Sequence, residues 1–464
     1  MKRSITIFSL IMINIAALGG LRAWAPIAEC GTAAIFFLLM ASLLFFIPVS
    51  LVSAELATAW PKTGGVYVWV KEAFGHRMGF LAIWLLWIEN VIWYPTILSF
   101  IAGAITYLFN PELIHNKTYT LSLILGIFWG TTFLNLLGIR IASWVSTIGA
   151  MCGTFIPSCL IIILGALWFF NGHPMQISFN TEAAIPDLSS LSQLALFAGV
   201  IMSLVGIEMS AIHAGDVENP RRNYPKALFL STIVVMLFSV LGVVAIAMVV
   251  PQNQIVLCTG PLQAFSVYLE KYNLGFVVPA IAVLIAFGAI GSMSTWLLGP
   301  CRGLVAASAE GDLPSIFRKI NKHGMPNNLL IGQAVLVSLI ALVFLLMPSV
   351  NSAYWILIVL TTQLYLVMYI LMFAAAIKLR YSHSHIERPF KIPGGAFGLW
   401  MFAGFGILSA IFTFIVGFFP PNQIDPGNTF WYVGFLSLSI IFLSFLPSLI
   451  LRFSKKTEKI TPIA

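Results

Sequence analysis

Apolar residues gather along this chain in long runs, and polar residues collect in the short segments between them. Twelve such runs are legible, near 5–28, 32–55, 79–109, 119–138, 142–170, 193–214, 226–250, 276–300, 328–348, 353–378, 398–420 and 430–451. Each matches the roughly 20 apolar residues that a helix needs to cross a bilayer. Lipid offers backbone groups no hydrogen bonds, so runs of this kind must be helical. The pattern predicts an all-α membrane protein with 12 transmembrane helices in a single domain, 1–464.

Composition agrees with the pattern. Of the 464 residues, 59% are hydrophobic and only 9% are charged, against about 25% charged in soluble proteins. The net charge of +8 does not point to nucleic acid, because its placement follows membrane topology. One set of connecting segments carries Lys2 and Arg3; Lys62, Lys71 and Arg77; Arg140; Arg221, Arg222 and Lys226; Arg302, Arg318, Lys319 and Lys322; Lys378, Arg380, Arg388 and Lys391; and a basic tail. The opposite set carries Lys117 and Lys271. The excess of basic residues puts both termini in the cytoplasm of a cell whose inner membrane holds the protein. An even number of spans gives the same result. Cleaving the first run as a signal peptide would spoil that parity. The five cysteines are scattered, three of them in or beside apolar runs, which argues against a disulfide framework.

Two runs contain interruptions. The first reads Ile15-Ala16-Ala17-Leu18-Gly19-Gly20-Leu21-Arg22, with Pro26 one turn later. The sixth reads Ser203-Leu204-Val205-Gly206-Ile207-Glu208-Met209-Ser210. Each pairs glycine with a charge near mid-bilayer. Glycine alone would be explained by close helix packing. As spans one and six of twelve, however, the two breaks fit repeats of five spans, 1–170 and 190–380, followed by two further helices at 396–452. Corresponding interruptions in two halves of a transporter mark its binding site. No residue-level internal repeat is visible, so this symmetry rests on order alone. A broken helix exposes N–H groups at one half-helix and C=O groups at the other. The former attract a carboxylate and the latter an ammonium, which together suit an amino acid. The candidate substrate-binding residues are therefore Ala17, Leu18, Gly19, Gly20, Leu21 and Arg22 on the first segment, and Ser203, Leu204, Gly206, Ile207 and Glu208 on the sixth.

A mid-span carboxylate costs roughly 2.5–3.5 kcal/mol on insertion scales. Glu208 is thus expected either to gate or contact a substrate amine, or to pair with another helix. Arg22 has three readings: it holds a substrate carboxylate, pairs with Glu208 or Glu89, or snorkels outward. Glu89, beside Asn90 and before Trp93-Tyr94-Pro95, serves either the pathway or helix packing. Glu29 is expected to be solvated at the outer end of the first span. His383, His385 and Glu387 lie in a basic loop without a second cluster, so no metal site is expected. No phosphate-cradling GxxxxGK[ST] supplies an ATP motor, and HExxH and GxSxG are missing too. The chain is read as a transporter without cofactors, not an enzyme.

Four stretches resemble the amino acid/polyamine/organocation superfamily, and within it the bacterial glutamate/γ-aminobutyrate antiporters. They are SAELATAWPKTGGVYVWV from Ser53 to Val70, SLVGIEMSAIHAGDVENPRRNYPKA in and after span six, WLLGPCRGLVAASAEGDLP in and after span eight, and RPFKIPGG at 388–395. The resemblance implies an inverted five-plus-five repeat plus two helices, with helices 1 and 6 discontinuous at the substrate. It also implies a path lined by Glu208. Three departures stand out. The family's span-eight acidic residue is replaced by Gly291-Ser292-Met293-Ser294, which makes Ser292 a further pathway candidate beside Glu89. The first span has Gly20-Leu21-Arg22 in place of an aromatic and acidic stretch. The sequence also ends about a dozen residues after the twelfth run, so the family's pH-gated C-terminal plug is expected to be absent.

The function expected is secondary active transport by alternating access: exchange of an amino acid, glutamate-like or related, for another amino acid or its decarboxylated amine. Arg22 facing the site would favour an acidic substrate. Dominance of Glu208 and Glu89 would favour a cationic amino acid or a polyamine. A proton-coupled symporter is the alternative within transport. A membrane sensor that binds without translocating is the alternative outside it, although such sensors usually carry a large soluble output domain. The partners expected are the small-molecule substrate, protons if coupled, and the lipid bilayer, with no nucleic acid; the sequence does not give an oligomeric state.

Overall fold

The computed structural model describes residues 5–18, 20–62, 64–138, 148–180, 184–420, 425 and 427–457. The regular structure among them is helical, with two isolated β-bridges, Ile5–Val217 and Ile320–Pro326. Eleven helices among the described residues are long and apolar enough to cross a membrane. The protein is an all-helical, multi-pass membrane protein.

The difference from the twelve predicted spans lies in the first run. It forms α1 (Ile7–Leu18), a single 3₁₀ turn at Leu21–Ala23, and α2 (Trp24–Ala28). Gly20 is extended at φ −68° and ψ 134°, so the α-helical ladder does not pass through it. Next come α3 (Ala33–Ala41) and α4 (Ile47–Ala59), joined by a π-helical turn at Ser42–Phe46 into one span. The short α5 (Val66–Phe74) leads to the long α6 (His76–Thr106).

Asn116 caps α7 (Lys117–Leu136) by accepting from the Tyr119 amide at 3.1 Å. A π-helical stretch, Gly149–Phe155, runs into α8 (Ile156–Phe170). The predicted start of that fifth span, 142–147, lies outside the described residues. α9 (Leu191–Ser203) ends abruptly, and the chain continues as a 3₁₀ segment, Ile207–Asp216. The remaining helices are α10 (Pro220–Val249), α11 (Gly260–Lys271), α12 (Val278–Ala309), α13 (Asn327–Ala341), α14 (Val343–Leu346), α15 (Val350–Ser382), α16 (Gly395–Val416) and α17 (Thr429–Thr457).

Burial sorts these helices into layers. In α6, 89% of the most apolar stretch is buried, and in α15 78%, against 17% in α17. The first two are therefore central, and α17 presents an apolar flank that only lipid would solvate. α6 packs most extensively on α12 and α15. The Gly149–Phe155 stretch lies against α12 so closely that a Cβ on Gly153 would meet the Leu284 carbonyl at 2.1 Å and the Gly288 amide at 2.3 Å. Small residues at this crossing let the two backbones touch. The first interrupted run is tied to α10 and to the residues just before it. The Glu218 amide donates to the Ile5 carbonyl at 2.9 Å, and Asn14 on α1 donates to Ser231 on α10 at 3.1 Å.

Candidate functional site

The helical ladder of α1 stops at Leu18, and the next turn opens at Leu21 without a side-chain cap. On the other segment α9 stops at Ser203, and Gly206 adopts φ +116°, a left-handed conformation that an L side chain resists. There is little room for one either: a Cβ on Gly206 would lie 3.0 Å from the Trp296 ring. Terminal helix carbonyls and amides lack intrahelical partners, so both stops bring backbone polarity into the middle of the bundle. Part of it is used internally, since the Gly206 amide donates to the Tyr369 hydroxyl at 2.7 Å.

A cavity of about 110 Å³ opens between the two stops. One water needs roughly 10–15 Å³ on this measure, so the space suits a small solute. α6, α12 and α15 close it, together with Gly153 and Thr154. The wall is largely apolar with a few convergent polar groups, the usual constitution of a small-molecule site.

Arg22 is the cation on that wall. Its position in the 3₁₀ turn brings its Nη1 to the Tyr354 hydroxyl, to which it donates at 3.2 Å. Its guanidinium carbon lies 5.1 Å from the Trp93 ring centroid, a cation–π distance. Trp93 in turn packs on Trp296 with centroids 5.7 Å apart. Among the described residues Arg22 forms no ion pair. Its fork of donors is therefore held in place by one hydroxyl and one aromatic face.

Two carboxylates flank the cavity differently. Glu89 is on the wall, with Oε1 accepting from Asn90 Nδ2. Glu208 is buried behind the wall. Its Oε1 accepts from the Tyr365 hydroxyl at 2.5 Å, and its Oε2 from the Tyr369 hydroxyl at 2.5 Å. Tyr365 reaches the cavity and Glu208 does not. These two hydrogen bonds make Glu208 the anchor of a tyrosine pair one helical turn apart on α15.

A family model described as amino acid permease matches residues 5–445. This chain belongs to the amino acid permease family, within the amino acid/polyamine/organocation superfamily. An uncharacterized transporter of Legionella pneumophila is 45% identical over 458 residues, covering 99% of this chain and 98% of the relative. The glutamate/γ-aminobutyrate antiporter of Lactococcus lactis is 36% identical over 428 residues, 91% of this chain and 85% of the relative. The probable agmatine/putrescine antiporter of the same species is 26% identical over 433 residues, covering 92% and 90%. The relatives are transporters, and membership makes this permease a membrane transporter for a small amino acid or amine.

Of the residues nominated from sequence, Leu18, Gly20, Leu21, Arg22, Ser203, Glu89 and Ser292 stand on the permease's cavity wall. Leu204, Gly206, Ile207 and Glu208 lie behind it, Ala17 belongs to the last turn of α1, and Gly19 falls outside the described residues. Arg22 pairs with neither Glu208 nor Glu89. Glu29, expected in solvent, is buried. Sequence reasoning missed Tyr354, Tyr365, Tyr369 and Trp296. The i, i+4 spacing of Tyr365 and Tyr369 was the available signal, because it puts two hydroxyls on one helix face.

The stretches that resemble the superfamily meet at one end of the permease. Glu55, at the end of α4, accepts from Arg380 Nε at 2.7 Å and from the Ile392 amide at 2.9 Å, with Arg388 Nε 3.4 Å away. This clasp joins the 53–70 stretch to the 388–395 loop and to α15. Glu310, just past α12, accepts from Tyr67 at 3.0 Å and from Lys71. Burial pushes the Glu310 carboxyl up, but those two donors outweigh it and hold it below its ordinary range. Asp312 lies 2.5 Å from His76 Nε2. Burial lifts the Asp312 carboxyl to about 6 although His76 opposes the rise.

Proposed function

We propose that this permease is an amino acid antiporter of the inner membrane that exchanges an acidic amino acid for another amino acid or for its decarboxylated amine. In this reading the breaks at Gly20 and Gly206 are the unwound centres of spans one and six. The chain is then two inverted five-span repeats, 1–170 and 190–380, followed by two helices at 396–452, with both termini in the cytoplasm. The single observation that carries the proposal is the guanidinium of Arg22, on the cavity wall between the two breaks and without an ion-pair partner among the described residues. A planar fork of this kind matches a carboxylate bidentately. Backbone groups at the breaks bind the α-amino and α-carboxylate groups. Arg22 binds the side-chain carboxylate. Glu89 faces the amine, and Glu208 acts through Tyr365, whose orientation it fixes. The name of the Lactococcus lactis antiporter at 36% identity supports the same pair of substrates, glutamate and γ-aminobutyrate.

Counterflow in proteoliposomes tests this proposal. Labelled glutamate should enter vesicles preloaded with glutamate or γ-aminobutyrate and stay out of empty ones. Uptake into empty vesicles driven by a pH gradient would instead establish proton symport. Binding with no flux under any condition would establish a sensor.

A further inference from the structure

α10 opens on Pro220-Arg221-Arg222-Asn223-Tyr224-Pro225-Lys226. Arg222 and Lys226 are one helical turn apart, so their charges project from the same face, and both are exposed. Among the described residues neither forms an ion pair. Arg221 is engaged, donating from Nη1 to Glu387 at 2.9 Å. The next turns on the same flank carry Phe229 and Ile233, 66% and 48% exposed. Two unpaired cations thus cap an apolar strip that leads into the membrane-spanning part of the helix.

The strip forms one wall of a groove of about 620 Å³. α4 supplies the other wall with Ile47 and Leu51, and Pro389, Phe390 and Pro393 close the end. Three acidic side chains among the described residues are nearby, of which Glu55 is engaged by Arg380 and the Ile392 amide. Glu387 is neutralised by Arg221, and Glu218 lies two residues before α10. The N-terminal end of the α10 dipole adds to the positive potential. A free anion would match the cations but leave the apolar groove empty, and an uncharged lipid would fill the groove but leave the cations unmatched. We propose that the groove binds an anionic phospholipid, with its phosphate between Arg222 and Lys226 and one acyl chain along Phe229 and Ile233. Basic pockets between membrane helices select anionic headgroups in this way. The lipid bridges α4 and α10 beneath the 388–395 loop.

The test uses the full chain purified in neutral detergent and titrated with phosphatidylglycerol, phosphatidylcholine of the same acyl chains, or inorganic phosphate. Bound lipid is read by native mass spectrometry. Phosphatidylglycerol should be retained, the other two should not, and R222Q/K226Q should weaken retention about tenfold or more, each basic group contributing to headgroup attraction. The conservative R222K should keep retention. F229A should weaken it with the charges intact. Equal retention of phosphatidylglycerol by R222Q/K226Q and the parent would overturn the proposal. So would equal retention of phosphatidylcholine, or displacement of the lipid by millimolar phosphate.

Discussion

At the scale of single residues, the proposed exchange makes Arg22 the group that decides substrate charge. Its guanidinium donates to Tyr354 and lies over Trp93, so the fork is pre-oriented before any ligand arrives. A hydrogen bond to a charged group contributes about 1.5–3 kcal/mol. R22Q should therefore lower exchange of glutamate about 10–100-fold while sparing uncharged amino acids of similar size such as glutamine. Competition assays against labelled substrate measure the ratio. An equal loss for acidic and neutral substrates would make Arg22 a structural residue. Arg22, Glu89 and Glu208 were legible in the sequence because a charge in an apolar run is conspicuous. The tyrosines that hold Glu208 were not. An aromatic residue in a membrane helix packs on lipid, on a neighbour or on a substrate, and nothing in the sequence distinguishes these. For the same reason the position of Glu208 behind Tyr365 was invisible before the helices were assembled.

At the scale of elements, Glu55 connects three of them through one carboxylate: α4, α15 and the loop before α16. Its two oxygens receive Arg380 and the Ile392 amide, and Arg388 lies beside them. Arg388 in turn donates to the Leu379 carbonyl at 2.7 Å, which fixes the loop against the end of α15. Removing one member of a buried ion pair typically costs about 3–5 kcal/mol, since the partner charge is left uncompensated. E55Q should lose stability on that scale, seen as a large fall in the thermal midpoint of the purified protein. The surface change K391Q should leave the midpoint within a degree or two, and equal midpoints for the two variants would remove Glu55 from this role. The helical stop at Gly20 and the change at Gly206 could be anticipated, because glycine next to a charge is rare inside a span. The π-helical turns at Ser42–Phe46 and Gly149–Phe155 could not. Each is followed by a proline, Pro48 or Pro157, whose missing N–H interrupts the i→i−4 ladder, but a proline alone does not specify a π turn, and the contact of the second stretch with α12 is a tertiary effect.

At the scale of the molecule, the basic connecting segments that first indicated topology are also where polar contacts bind helices distant in sequence. Eleven of the twelve predicted spans, with their rough limits, were readable from hydropathy and reappear as long apolar helices among the described residues. Their layering, with α6 and α15 inside and α17 outside, was not, because every span is apolar and the inner and outer ones differ only in what covers them. Transport by alternating access requires one end of such a bundle to open, and the Lys71–Glu310 and His76–Asp312 contacts hold α5 and α6 to the end of α12. We predict that Asp312 makes the stability of this end depend on pH. Its ordinary value is 3.8, and burial lifts it to about 6 in the folded protein. Between these values the unfolded chain has released the proton while the folded one keeps it, so the stability contributed by this group falls as pH rises from about 4 to about 6 and is constant above. Asn at this position cannot titrate. The thermal midpoint of D312N should accordingly gain on that of the parent across this window, with no further gain between pH 7 and 8. A gap that stays constant from pH 4 to 8 would mean that Asp312 is charged throughout, and that the contact with His76 compensates its burial fully. The expected widening would instead place a proton on Asp312 in the folded protein, at the seam between α6 and the end of α12.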